Sequence, residues 1–382
     1  MTATRARGLR VLYVLRYFPT LTETFVYREI RGLRDRGVFV DVAAIGARAD
    51  GELQAPVPVG RVRRPPVALH WIFAGLQLLP VLCSRRGLSA YRWIRRIVGW
   101  RRGLKFLALS TWSRDYDRLH VHFAGEAAEV AYIAHQIWGT PYSVTTHAVD
   151  LFKPRASLPE VLGHADKVLA ISEHNQAWLA DRHGIVAELV RCGVELPDGA
   201  VAPDEAQAVV QDGPLRVLAV GRWVPKKGFD LLVQAIDSLQ GAAQLVLISD
   251  APEDVASPYV DLLGLLPPSE LRAHYRDADV VVLPCRQAPD GDMDGVPVVL
   301  MEALAQACPV ITCPVSGVPE LVDDTVGWLV PSEDVDALVD ALKQAQDPLE
   351  RAKRGRAGPD RLQARGFTVD HQVDGLLDAW LS

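Results

Sequence analysis

Short apolar runs alternate with helical patterns along this chain, and they do so in two separate series. In the first, residues 11–15 (VLYVL), 38–42 (VFVDV), 119–123 (LHVHF), 143–146 (SVTT) and 168–171 (VLAI) read as strands, with helices such as 25–34 and 127–137 between them. In the second, LRVLAV (215–220), QLVLIS (244–249), ADVVVLP (278–284) and PVITC (309–313) take the strand positions. Strands joined through helices cross over their own sheet, which makes the sheet parallel and covers both of its faces. Between the series lies GVELPDGAVAPDEAQAVVQDGP (193–214), whose Pro, Asp and Gly content reads as a linker. The expected architecture is α/β, with two doubly wound, Rossmann-like domains at residues 1–195 and 215–368. A linker at 196–214 joins them, and a helical segment at 369–382 follows. Such sheets bind ligands beyond the carboxyl ends of their strands, so two of them imply a central cleft.

At 382 residues the chain is long for one domain and comfortable for two, and its 49% apolar content is enough for two cores. A net charge of −6 does not suggest a nucleic-acid partner. The five cysteines are scattered, with no C-x-x-C pair and no Cys/His metal spacing, which fits reduced thiols and a cytoplasmic location. Residues 1–10 are short and basic, and the apolar run after them is too short for a signal peptide or a membrane span.

Charge is unevenly spread. From Leu53 to Arg114 there is no Asp or Glu, while Arg and Lys recur. Residues 69–82 are apolar, and YRWIRRIVGWRRGLKFLAL (91–109) interleaves Arg with Trp, Ile and Leu. A basic amphipathic helix of this kind can lie in an anionic membrane surface, which makes residues 61–109 a candidate peripheral contact with the inner face of the cell membrane. The plainer reading is a packed helical pair with a solvated Arg face. Pro80 and the break at 83–87 exclude one long spanning helix.

The chemistry-bearing segment is DGVPVVLME, in which Asp294 and Glu302 stand eight residues apart. That is a little over two helical turns, placing Asp294 at a helix N-terminus and Glu302 within the helix. A helix N-terminus offers unpaired N–H groups and partial positive charge, which suits a phosphate. The plainer reading here is an N-capping Asp and a solvated Glu.

The segment resembles the E-x7-E motif of the family 4 retaining glycosyltransferases, which have the GT-B fold. Further resemblances lie in order along the chain: GRWVPKKGFDLLVQAI (221–236) to the family's diphosphate segment, ADVVVLPC (278–285) to the strand before the acidic motif, and SGVPELV (316–322) to its closing loop. RYFPTLTETFVYREI, LHVHFAG and VTTHAVDLF are similar to a branch associated with exopolysaccharide and colanic-acid-type assembly.

The resemblance implies a nucleotide-sugar donor, most simply a UDP-sugar, as a co-substrate, with no cofactor and no bound metal. It places Arg222 and Lys227 on the diphosphate, with the backbone of Gly295, Val296, Pro297, Val298 and Val299 as its cradle. Lys226 ranks below Lys227, because the family's lysine directly precedes the glycine. Glu302 would accept from the ribose, Asp294 from the transferred sugar, and His147 would face that sugar from the first domain. It also implies that the last helix crosses back onto the first domain.

Three departures stand out. Asp294 replaces a Glu, one methylene longer. The usual glycine-bearing loop after the first strand is absent, and Thr20 to Glu23 instead has the form of a capping box. Only DAPEDVASP separates the strand at 244–249 from YVDLLG, so a helix is missing. His120 and His122 alternate on one strand at metal-binding spacing, but no further ligand stands beside them in sequence.

The acceptor stays open between a lipid-linked saccharide and a soluble natural product such as an aminocyclitol. Glu23, Asp150, Asp290 and Asp292 would suit a cationic acceptor of the second kind. A sugar-nucleotide epimerase of the same fold and a non-enzymatic membrane scaffold are the readings from other classes.

Overall fold

The computed structural model describes residues 6–20, 23–46, 59–63, 84–153, 155–197, 213–252, 255 and 257–382. The apolar stretch 69–82 and most of the linker lie outside them. The chain divides into two compact units. Unit 1 comprises Met1–Ile171, Asn175–Val190 and Val373–Ser382; unit 2 comprises Ser172–His174 and Arg191–Gln372.

Unit 1 is built on a seven-stranded sheet: β1 (Arg10–Leu15), β2 (Phe39–Ala44), β3 (Val62–Arg63), β4 (Arg118–His122), β5 (Tyr142–Thr146), β6 (Lys167–Ala170) and β7 (Glu188–Leu189). Their spatial order is β3-β2-β1-β4-β5-β6-β7, and every pairing is parallel. β1 to β3 build outward on one side, and the chain then returns to start the other side at β4. The reversal lies between β1 and β4, whose register sets Tyr13 beside His120. Residues 11–15 of β1 and all of β4 and β5 are buried, as strands covered on both faces must be.

Helix α1 (Thr24–Asp35) packs a stripe of Phe25, Val26, Ile30 and Leu33 on this sheet, and Glu29 falls within the same stripe. The capping box expected at Thr20 does not form: the N-cap is Glu23, with no side-chain cap hydrogen bond.

The basic stretch, weighed as one surface amphipathic helix or as part of a packed helical pair, is divided. It is two helices, α2 (Arg85–Trp93) and α3 (Trp100–Ser110), joined through a π turn at Ile94–Val98. Gly99, at φ +83°, ends the first and opens the second. Trp93 is buried against Tyr132, with ring centroids 4.6 Å apart, so it packs in the core and is not an interfacial anchor. Among the described residues, no helix is long and apolar enough to cross a membrane.

Unit 2 carries a six-stranded parallel sheet: β8 (Leu215–Val220), β9 (Ala243–Ile248), β10 (Val260–Leu263), β11 (Val280–Leu283), β12 (Val310–Thr312) and β13 (Gly327–Leu329), in the order β10-β9-β8-β11-β12-β13. Here the reversal lies between β8 and β11. No helix occurs among the described residues between β9 and β10. The last helix spans Val369–Leu381, and from Val373 it belongs to unit 1. There the Trp380 indole N–H donates to Ser143 at 2.8 Å, and the Trp380 carbonyl accepts from Arg118 at 3.0 Å.

Candidate active site

In unit 2 the two strands that flank the sheet's reversal both deliver charge. After β8, a 3₁₀ turn at Pro225–Lys227 presents two consecutive lysines. Gly228 follows at φ +65°, and a Cβ there would stand 2.2 Å from the Pro284 carbonyl oxygen. Only glycine fits both demands, which gives the Lys-Gly pair a structural cause. Helix α4 (Phe229–Ser238) then begins.

The loop after β11 supplies the acids. The Lys227 ammonium lies 2.7 Å from Asp294 Oδ2, and the Lys226 ammonium lies 3.3 Å from Asp294 Oδ1 and 3.1 Å from Asp292 Oδ1. The Asp294 side chain is 12% exposed. Burial alone would raise its pKa, but Lys227 and Lys226 outweigh burial and hold it below the ordinary carboxylate value. Burial likewise works against the Lys227 ammonium, yet Asp294 keeps that lysine above its usual pKa. The Arg222 charge opposes it, which places this exposed arginine within electrostatic reach. Burial, then Asp294, pushes the Cys285 thiol well up, so it stays protonated and donates to Asp294 at 3.6 Å.

Helix α5 (Val298–Ala305) follows, with Pro297 as its N-cap. Asp294 stands three residues before that cap, so the capping role weighed from sequence does not apply. Gly295, Val296 and Pro297 are buried, Val298 and Val299 half-buried at the first turn. Glu302 accepts from the Tyr275 hydroxyl at 3.0 Å.

Unit 1 has its own polar cluster at its sheet reversal. The Tyr13 hydroxyl donates to Glu29 Oε1 at 2.6 Å, and His122 Nε2 lies 2.9 Å from the same oxygen. His122 Nδ1 meets His147 Nε2 at 3.1 Å. His147 follows β5 directly, is 6% exposed, and sits between the rings of Phe25 and Phe123. Burial pushes the Glu29 carboxyl up, but His122, His120 and Tyr13 outweigh burial and bring it down to about 2. Burial lowers His120 to about 3 and holds His147 well below its ordinary value, so both rings are neutral near pH 7.

Residues 22–197 match the family described as Glycosyltransferase Family 4, and residues 214–347 match Glycosyl transferases group 1. Among curated relatives, a glycosyltransferase named for colanic acid biosynthesis, WcaL of Escherichia coli (strain K12), is 28% identical over 87% of this chain and 90% of its own length. This chain is a family 4-type glycosyltransferase of the GT-B fold. Two solved structures share the fold. Sucrose-phosphate synthase from Thermosynechococcus elongatus aligns at TM-score 0.74 and 19% identity, covering 98% of each chain. HepE from Anabaena, solved with UDP and glucose, aligns at 0.71 and 16%, covering 98% of this chain and all of its own.

The glycosyltransferase thus brings Lys227 and Asp294 into direct contact, with Arg222 on the same loop. Glu302 is a helical turn or more away along α5, bound to Tyr275. Two further groups at this site were not picked out by the resemblance: Lys226, ranked second in the sequence, and Cys285. Their signals are faint, since a lysine beside a lysine and a thiol after a strand are each ordinary. In unit 1 the missed residue is Glu29. It stands as the third ligand-type side chain beside His120 and His122, contrary to the sequence expectation, with ligand atoms all within 4.8 Å of one another. Of the acids proposed for a cationic acceptor, Asp292 is paired to Lys226. Asp150 is buried and accepts from the Ala124 and His147 N–H groups at 2.8 and 2.9 Å.

Proposed function

We propose that this glycosyltransferase is a retaining enzyme that moves a sugar from a UDP-sugar to an acceptor hydroxyl on a lipid-linked saccharide in exopolysaccharide assembly. The observation that carries the reading is the close, largely shielded Asp294–Lys227 pair at the sheet reversal of unit 2. It combines a cation fit for a leaving diphosphate with a carboxylate fit for sugar hydroxyls. The near full-length likeness to WcaL supports the polysaccharide context, and the UDP-bound Anabaena protein supports the nucleotide.

In this reading Arg222, Lys227 and the start of α5, from Gly295 to Val299, receive the diphosphate. Glu302 accepts from the ribose, and Asp294 accepts from the sugar and steadies its positive, oxocarbenium-like transition state. The neutral imidazole of His147 is assigned to the sugar's hydroxyls. The acceptor attacks the face that the diphosphate leaves, and a phosphate oxygen takes its proton. Asp294 is held by two lysines and acts as a fixed charge, so no covalent glycosyl-enzyme is proposed.

A donor-hydrolysis screen over UDP-, GDP- and dTDP-sugars tests the nucleotide, and NMR of the product's anomeric configuration tests retention. Inversion would overturn the mechanism, and release of an isomerised sugar nucleotide without acceptor would make the chain an epimerase. Lysines and the α5 N-terminus carry the positive charge in this account, so EDTA should leave transfer unchanged. Loss of activity restored by magnesium or manganese would refute that part.

The peripheral-membrane reading rests on α2, α3 and the π turn between them. Arg85, Arg86, Arg92 and Arg95 are exposed there beside exposed Leu88, Tyr91 and Leu104. Replacing these four arginines with Gln should release the protein from anionic liposomes, since each basic residue near such a surface contributes roughly 1 kcal/mol. Full activity on soluble hydroxyls with no liposome binding at low salt would favour the soluble acceptor.

A further inference from the structure

Lys226 is engaged as deeply as Lys227. Lys226 is 8% exposed and divides its ammonium between Asp292 and Asp294 Oδ1, while Lys227 holds Asp294 Oδ2. Consecutive residues of a 3₁₀ turn point about 120° apart, so the two side chains reach one carboxylate along different paths. Their turn is pinned to the acidic loop. The Arg286 N–H donates to the Lys226 carbonyl at 3.0 Å, and Arg286 Nε donates to the Pro225 carbonyl at 2.7 Å. Asp230 fixes that guanidinium through two contacts of 2.9 Å.

Two lysines and two aspartates balance in charge. A diphosphate arriving at Lys227 upsets that balance, because the ammonium at 2.7 Å from Asp294 acquires a second and stronger anionic partner. With Lys227 as its sole counter-ion, a carboxylate this buried would lose its partner just as a sugar needs its charge. Lys226 lies on the opposite carboxylate oxygen and has no need to move.

We infer that Lys226 is a positioning residue: it keeps Asp294 ionised and in place while Lys227 changes partner from Asp294 to the donor's diphosphate. This deepens the reading of Lys227 as the diphosphate ligand and rests on it. The shorter aspartate fits the same arrangement. A glutamate would carry its carboxylate about 1.5 Å farther from the backbone, by one C–C bond, and so out of the position both lysines now share.

The test is UDP affinity, by calorimetry, on the full chain. Lys226→Gln should weaken UDP binding about 10-fold, because Asp294 then leans wholly on Lys227, whereas in an Asp294→Asn background the same change should alter it by less than about 3-fold. Lys226→Arg, which keeps the charge, should stay within about 3-fold of wild type. An equal loss in both backgrounds would make Lys226 a direct phosphate contact, and no loss in either would make it a solvated bystander; each overturns the inference. Lys227→Ala separates the two claims. If it leaves UDP affinity unchanged, the diphosphate reading itself fails. If it weakens UDP while Lys226→Gln does not, the inference alone fails. Lys226→Gln leaves Asp292 without its lysine, so Lys226→Gln/Asp292→Asn is measured beside it, with a thermal melt as the check on folding and the same expected loss.

Discussion

Asp294→Asn is expected to lower turnover about 100-fold or more, the scale of removing one electrostatic stabiliser from a transition state, without weakening UDP binding. The substitution keeps size and shape. On the proposed mechanism it removes the charge that accepts sugar hydroxyl bonds and opposes the positive sugar in the transition state. It also releases Lys227 from its 2.7 Å partner, so the diphosphate meets a lysine with no competing anion. Affinity for UDP should therefore hold or rise while the rate falls, a split that a folding defect does not produce. A helix-capping role would let Asn serve nearly as well, but Pro297 holds the cap position. Near wild-type hydrolysis and transfer by Asp294→Asn would remove Asp294 from the chemistry.

Lys227→Ala should be nearly as damaging, and in a different pattern. The diphosphate gains charge as the sugar leaves, so a cation placed on it strengthens most in the transition state. Losing it should cost on the order of 2–4 kcal/mol, about 30- to 1000-fold in rate, with a smaller loss in donor binding. Lys226 stays on Asp294, so the acidic loop keeps one of its two clamps and the variant should fold. Purified Lys227→Ala that turns over at the wild-type rate would place this lysine outside the reaction.

Much of the fold was legible because parallel strands buried on both faces spell themselves as unbroken apolar runs. LRVLAV is β8 to the residue. The Asp294–Glu302 spacing was equally plain, since both lie in one short local segment, Asp294 in the loop and Glu302 in the helix that follows it. Contacts between elements were harder. Glu29 and His122 meet from 93 positions apart, and nothing in either local sequence names the other. Glu29 had left a trace as an acid in the middle of an apolar stripe, where an ionised group persists only with partners. The resemblance singled out Lys227, the lysine before the glycine, and Lys226 became visible only once a 3₁₀ turn fanned the pair around one carboxylate. The basic stretch read as one amphipathic helix because Arg, Trp and Leu recur through it. Gly99 was the mark of its division, and the side on which Trp93 lies depended on Tyr132, far along the chain.

Residues Val373–Ser382 belong to unit 1, although the ribosome makes them after all of unit 2. Domains made first usually fold first, but unit 1 completes its packing only with an indole that bonds Ser143 and a carbonyl that receives Arg118, both of which follow unit 2 in the chain. Until then, a newly made unit 1 holds an unfilled place beside His120, whose ring otherwise lies 5.3 Å from that of Trp380. A chain cut before Val373 would keep all of unit 2 and leave unit 1 without the contacts to Ser143 and Arg118.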